Sequence, residues 1–189
     1  ESDPRRKYKG RIVFRGDNIR DEEGFKACFT EQGTSASWMA AIKFIDAIAH
    51  FPGNKGEDAD ARSAYTQVTL KQAAKLLGRS KLPPTWVTLP RSWWPEGKGW
   101  ENIKNPVVPL TVNLYGHPLA GLIWEKSCHE RLVKFGFELI RGWECLYVHR
   151  QKNVWLSVYV DDFHMAGKTE SVKQMWQTSS RVKKLISNN

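Results

Sequence analysis

Two adjacent aspartates, Asp161 and Asp162, follow Tyr159-Val160 at the end of the apolar run Val154-Trp155-Leu156-Ser157-Val158. Neighbouring carboxylates repel each other and resist leaving water. A pair at the end of a strand rich in Val, Leu, Trp and Tyr therefore points to a bound cation that offsets the cost. Magnesium suits such donors: it is a hard ion that takes one or two carboxylates and completes its shell with water and phosphate oxygens. The plainer alternative is a polar turn between strands, since Asp is a common turn former. Alternation puts Leu156, Val158 and Val160 on one face and Trp155, Ser157, Tyr159 and Asp161 on the other, which predicts one core face and one face lining a cleft.

Phosphoryl transfer with two metals needs a further carboxylate from a different strand. Asp60, in Ala59-Asp60-Ala61-Arg62-Ser63-Ala64-Tyr65, is the best candidate, with an aromatic five residues on. Its alternative is a surface turn after the Gly- and Pro-containing stretch 51–56. Other catalytic motifs fail on inspection. Ala166-Gly167-Lys168-Thr169 ends like a phosphate-binding loop, but Asp162 stands where its first glycine belongs, and Cys128-His129-Glu130 lacks a second ligand pair.

The elements that must position these residues alternate as in an α+β domain. Trp38, Ala41, Ile42, Ile45 and Ile48 recur at helical spacing behind Ser35 and Ser37, which predicts a capped, core-facing helix over 37–50. A second helix over 69–77 stops at Gly78. Residues 82–99 shift to proline, tryptophan and glycine, a strand followed by an irregular loop. Pro118 opens a third helix along which Trp124, Cys128, Leu132 and Phe135 recur until Gly136. Runs over 143–149 and 154–160, joined by Arg150-Gln151-Lys152-Asn153, predict a hairpin. A last strand over 163–166 and a final helix over 170–186 complete the reading.

The chain has 189 residues, enough for one substantial core or two small lobes, and a net charge of +9. That charge, with a pI near 9.5, favours polyanionic partners. Cys28, Cys128 and Cys145 are odd in number and widely spaced, so they read as ordinary thiols and imply neither a disulfide framework nor a zinc module. No apolar stretch approaches membrane-spanning length, and the charged residues 1–9 lack the core of a signal peptide, so the expectation is a soluble, intracellular protein without a membrane partner.

Taken in order, these motifs resemble the reverse transcriptases of copia-type long-terminal-repeat retrotransposons, over nearly the whole chain. Lys7-Tyr8-Lys9-Gly10-Arg11-Ile12-Val13 is similar to that family's opening basic strand, followed by Gly24-Phe25 and the 37–50 helix. Asp60 to Tyr65 is similar to its first catalytic-aspartate motif, and Pro83-Pro84-Thr85-Trp86-Val87-Thr88-Leu89-Pro90 to its next strand. Leu114-Tyr115-Gly116 resembles its helix-opening LYG element, and Glu144-Cys145-Leu146-Tyr147 with Tyr159-Val160-Asp161-Asp162 its last palm hairpin. Three departures stand out. Pro118-Leu119 replaces the usual Lys-Gln pair, the lead-in Gly56-Glu57-Asp58-Ala59 is acidic and suits a buried strand poorly, and 69–80 replaces a shorter connection.

The resemblance implies an α+β, right-hand polymerase fold of fingers and antiparallel palm, with 1–58 mainly fingers, 59–189 mainly palm, and fingers elements returning at 80–112. A primer-gripping segment and thumb are expected to be missing, as in a fragment of a Pol polyprotein. The implied activity is RNA-directed DNA polymerisation, extending a primer 3′ end on an RNA or DNA template with deoxynucleoside triphosphates, in a cytoplasmic particle or the nucleus. Asp60 and Asp161 would hold two magnesium ions, or manganese in their place, with Asp162 in a lesser part that depends on turn geometry. Lys9, Arg11, Ala61 and Tyr65 would bind the nucleotide, the basic pair on its triphosphate and Tyr65 beneath its sugar. Tyr159, Val160 and Gly116 would contact primer or template, and Trp93 and Trp94 could stack on bases. Two alternatives stay open: a catalytically inert, nucleic-acid-binding remnant of such an element, and a protein-interaction domain.

Overall fold

The computed structural model describes residues 10–29, 33 and 36–177. Its centre is a five-stranded antiparallel sheet in the order β1 (Asn54–Asp60), β7 (Asp162–Lys168), β6 (Val154–Tyr159), β5 (Leu146–His149), β4 (Glu138–Leu139). Helix α1 (Met39–Ala49) covers one face, where Ala41 and Ile45 meet Leu146, Ala166 and Trp155. The other face carries the larger core. There α3 (Ala120–Lys134) sets Ile123, Trp124, Cys128 and Leu132 against Leu156, Val158, Phe163 and Met165, joined by Val172 of α4 (Thr169–Gln177). Full burial of each of these large side chains stabilises the fold by about 1.5–3 kcal/mol. A separate two-stranded sheet pairs β2 (Trp86–Thr88) with β3 (Val107–Pro109). The architecture is α+β with antiparallel sheets.

Local chemistry explains most boundaries. Helix α2 (Leu70–Leu76) starts at a capping box in which Thr69 and Gln72 satisfy each other's backbone donors, and ends before Gly78 at φ +66°. Gly136, at φ +86°, ends α3 in the same left-handed conformation. The 150–153 connection forms the expected hairpin, with Asn153 at φ +50°. Helix α4 is described to Gln177, and the remainder of the expected 170–186 helix lies outside the described residues.

Several expectations are corrected. Ser37 does not cap α1: its N–H bonds to the Val158 carbonyl, its buried Oγ has no partner, and Trp38 takes the N-cap position without a side-chain capping bond, its Nε1 donating instead to Glu144. Ser35 lies outside the described residues. Trp38 is 51 % exposed, and the core-facing stripe begins at Ala41. Of the basic strand expected over 7–13, residues 10–13 are described and are not strand; the neighbouring Phe14 N–H bonds to the Tyr115 carbonyl. The β6 face expected to line a cleft is covered by α1 down to Ser157, which is buried, and only Tyr159 emerges. The acidic lead-in to Asp60 does form a strand. It lies at the edge of the sheet, where Asp58 and Asp60 face water while Glu57 and Ala59 are half-buried, so no carboxylate is fully desolvated. Gly56 has a packing reason there, since a Cβ would approach Ala49 Cβ at 3.1 Å.

Candidate metal centre

The edge strand and the hairpin meet at the carboxylates. β1 pairs with β7 through to Asp60 opposite Asp162, and β6 pairs with β7 through to Tyr159 opposite Asp162. Only Val160 and Asp161 remain to turn the chain. Val160 has φ +56°, and Asp161 is not among the positive-φ residues, the sign pattern of a type II′ turn, whose first central position favours glycine. A β-branched residue in that conformation is strained. Two contacts hold it: Trp124 Nε1 donates to the Val160 carbonyl at 2.5 Å, and Ala61 N donates to the Asp161 carbonyl at 2.6 Å. Helix α3 and the residue after Asp60 thus grip the turn from two sides.

The turn removes the obstacle that strand alternation poses. Consecutive residues of a strand point to opposite faces, but here Asp60, Asp161 and Asp162 each present an oxygen within 4.8 Å of the other two. Asp60 and Asp162 are exposed and Asp161 is half-buried. Burial, then the charges of Asp161, Asp60 and Asp58, push the Asp162 carboxyl above its ordinary range. The contribution of the neighbouring acids, second to burial, is the part that a cation would relieve. The donors fit magnesium or manganese. All are hard oxygens, and their mutual separation of 4.8 Å or less is comparable with the roughly 4.2 Å between ligands on opposite sides of an octahedral magnesium.

Aromatic groups wall the site. Tyr65 and Tyr115 rings lie 4.6 Å apart at 53°, and the Arg11 guanidinium stands 5.7 Å over the Tyr115 ring. Both hydroxyls are pushed up, by burial first; Asp161 adds to each, Tyr115 and Tyr159 to Tyr65, and Asp60 to Tyr115. Tyr65, Tyr115 and Tyr159 thus lie near the carboxylates, with Arg11 over Tyr115. Tyr159 is 50 % exposed. Behind Asp162 on the same strand, His164 hydrogen-bonds Asp58 of β1 through Nδ1 and Asp46 of α1 through Nε2, tying helix to edge strand.

The other expected site residues fall as follows. Ala61 is buried in the core, so only its backbone touches the site. Gly116 has φ +86°, and a Cβ there would meet the Phe14 carbonyl oxygen at 2.0 Å; its glycine is required by packing against the N-terminal segment. Lys9 lies outside the described residues. Leu119, at the position where the resemblance expects Gln, is 7 % exposed and belongs to the core. Cys128 and Cys145 are buried, with thiols pushed up to about 12, in keeping with unreactive thiols.

Two contributors were missed from the sequence, Tyr115 and Trp124. Tyr115 lies inside the Leu114-Tyr115-Gly116 element, where its aromatic ring is the available signal; Trp124 fits the helix core by periodicity, and its indole N–H is the signal of a second role. Among the described residues, no helix is long and apolar enough to cross a membrane. Comparison with known protein families, with characterised proteins and with solved structures finds no match for this chain.

Proposed function

We propose that this chain is the fingers and palm portion of an RNA-directed DNA polymerase of the copia retrotransposon type, part of a Pol polyprotein, acting on a primer–template with deoxynucleoside triphosphates. The observation that carries the reading is the convergence of Asp60 with Asp161 and Asp162, about a hundred residues apart in sequence, within one 4.8 Å envelope. A polar turn alone does not require an acid from a third strand at its edge. Two divalent ions at such a centre would acidify the primer hydroxyl and neutralise the triphosphate.

The chain's own residues divide the remaining work. Asp60 and Asp161 hold the positive charge where hydroxyl and phosphate must meet, and Asp162 adds charge from the strand opposite. Arg11, which stands over Tyr115, would pair with phosphate oxygens, and Lys9 joins it in this reading. Tyr65, propped by Tyr115, offers the sugar an aromatic wall. Tyr159 presents a half-exposed ring beside the turn for the primer end, with the Val160 and Gly116 backbones nearest the strands in the same reading. The domain division goes with it: 1–58 mainly fingers, 59–189 mainly palm, and 80–112 returning to the fingers.

A second reading, a nucleic-acid-binding remnant without turnover, is favoured by Leu119, whose buried side chain cannot take the part of the polar residue expected there. Primer extension on an RNA template with magnesium separates the two, comparing the parent with Asp161→Asn and Asp60→Asn at matched folding. Extension by the parent that disappears in both variants supports the polymerase. Absence of extension from folded parent protein sinks it and leaves the remnant.

A further inference from the structure

The excursion from 79 to 109 supplies none of the three carboxylates and is built around tryptophan. Trp94 is its anchor: Nε1 donates to the Leu89 carbonyl at 3.1 Å, the Arg91 guanidinium lies 5.7 Å over the ring, and Trp100 packs at 6.3 Å. This small aromatic core fixes the loop that its neighbour Trp93 leaves, and Trp93 remains 51 % exposed. In the two-stranded sheet, the β2 and β3 residues alternate between exposed and half-buried, so one face carries Trp86, Thr88, Val107 and Pro109 in the open, with Trp86 paired opposite Pro109. Trp86 is 56 % exposed.

Large indoles left in water need a reason, and so does the charge around them. Arg79, Lys81, Arg91, Lys98 and Lys104 stand against Glu96 and Glu101, so the excursion is cationic within a chain of net charge +9. Outward aromatic faces among cations match single-stranded nucleic acid, which offers stacking bases along a phosphate chain. A duplex, whose bases are already stacked, makes no use of the indoles.

We propose that the 79–109 excursion binds an unpaired nucleic-acid strand, with Trp86 and Trp93 stacking on bases and Lys81, Lys98 and Lys104 following the phosphates. This rests on the nucleic-acid reading above and adds where the unpaired part of a template lies. The anchored Trp94, assigned with Trp93 to base stacking from the sequence, serves here as scaffold.

The test is fluorescence anisotropy of a labelled twelve-nucleotide single-stranded RNA with the whole chain in EDTA, which removes any metal contribution from the carboxylates. Loss of two stacks lowers affinity by about 30-fold or more in the Trp86→Ala/Trp93→Ala variant, while Trp86→Phe/Trp93→Phe, which keeps two aromatic faces, recovers most of it. Lys98→Gln/Lys104→Gln reduces the slope of log affinity against log salt by about 1.4. Circular dichroism confirms folding of each variant. Equal binding by parent and Trp86→Ala/Trp93→Ala overturns the assignment while leaving the polymerase reading intact. A parent that extends primers but binds no free strand overturns it too, in favour of a protein partner on this face. A parent that neither binds any nucleic acid nor extends primers overturns both.

Discussion

Replacing Asp161 by Asn should make the metal-free protein more stable and make it indifferent to magnesium. The three carboxylate oxygens lie within 4.8 Å of one another. At that distance each ionised pair costs about 0.9 kcal/mol in a water-like dielectric, the conservative choice for a site with two exposed members, and about 3.5 kcal/mol at an effective dielectric of 20. Asp161 takes part in two of the three pairs, so the neutral amide relieves roughly 2 kcal/mol at low salt, less at 0.1 M because the Debye length is then about 10 Å. The main-chain bond from Ala61 to the Asp161 carbonyl survives the change, so the turn persists. Magnesium at about ten times its dissociation constant stabilises the parent by about 1.4 kcal/mol, or roughly 3–6 °C in a domain of this size. The two melting curves should therefore approach one another as magnesium is added, the variant higher in EDTA and the parent rising alone. Differential scanning calorimetry in EDTA and in graded magnesium, with calcium as a control for ion size, reads both effects. A variant less stable than the parent in EDTA, together with equal magnesium shifts in the two proteins, would refute the view that these carboxylates form one crowded cation site.

Asp162 fixes a pH dependence. Its carboxyl is raised by burial and by Asp161, Asp60 and Asp58, so between the ordinary aspartate value and the raised one the folded chain binds more protons than the unfolded chain, and its contribution to stability falls as pH rises through that window. Melting temperature followed upward from about pH 4 in EDTA should show that loss in the parent and not in Asp162→Asn; the same slope in both would remove the basis for it. Trp124→Phe deletes the indole bond to the Val160 carbonyl but keeps most of the ring's burial, so stability should drop by about 0.5–1.5 kcal/mol plus the ring-size cavity, and magnesium should bind more weakly in the same protein. Unchanged magnesium affinity would show that α3 does not position the turn. Val160→Gly trades strain of about 1–3 kcal/mol for a backbone entropy cost of about 0.5–1 kcal/mol, so urea titration should find the variant as stable as the parent or more so; a marked loss would mean that the left-handed conformation is not strained here. Gly116→Ala places a Cβ 2.0 Å from the Phe14 carbonyl oxygen at a positive φ, and should cost about 2 kcal/mol or more and expose the 10–18 segment to limited proteolysis. A cost below about 0.5 kcal/mol would show that this segment does not pack on the Tyr115-Gly116 turn.

Local order was legible wherever neighbours in sequence are also neighbours in space. The β5–β6 hairpin, the three helix cores and the glycine stops at Gly78 and Gly136 follow from periodicity and left-handed caps, which act within a few residues, while the β6–β7 turn expected at Asp161-Asp162 falls one residue earlier, at Val160-Asp161. The acids themselves were legible as well, because two adjacent aspartates at the end of an apolar run stand out in the sequence. Expectations that depended on what covers a segment went astray. The 7–13 run sets Lys7, Lys9 and Arg11 at alternate positions as a strand does, yet the described residues 10–13 lie in no β ladder, with Arg11 standing over the Tyr115 ring and the neighbouring Phe14 N–H bonding to the Tyr115 carbonyl, and a strand needs a partner ladder along its length. The outward face of β6 reads as open from alternation alone, but alternation cannot say that α1 will lie across it. Composition argued against a buried strand before Asp60, and the sheet order resolves the conflict by placing it at the edge.

From the sequence by itself came the charge, the α+β order of elements, the identity of Asp60, Asp161 and Asp162, and the aromatic at Tyr65. Their meeting within 4.8 Å, the strained turn that turns two neighbours to one side, the grip of Trp124 on that turn, and the pairing of Tyr65 with Tyr115 were decided only by the tertiary structure. The reason is physical: residue type sets what a side chain can donate or accept, but the register of β1 against β7 and the packing of α3 on the hairpin set where it stands.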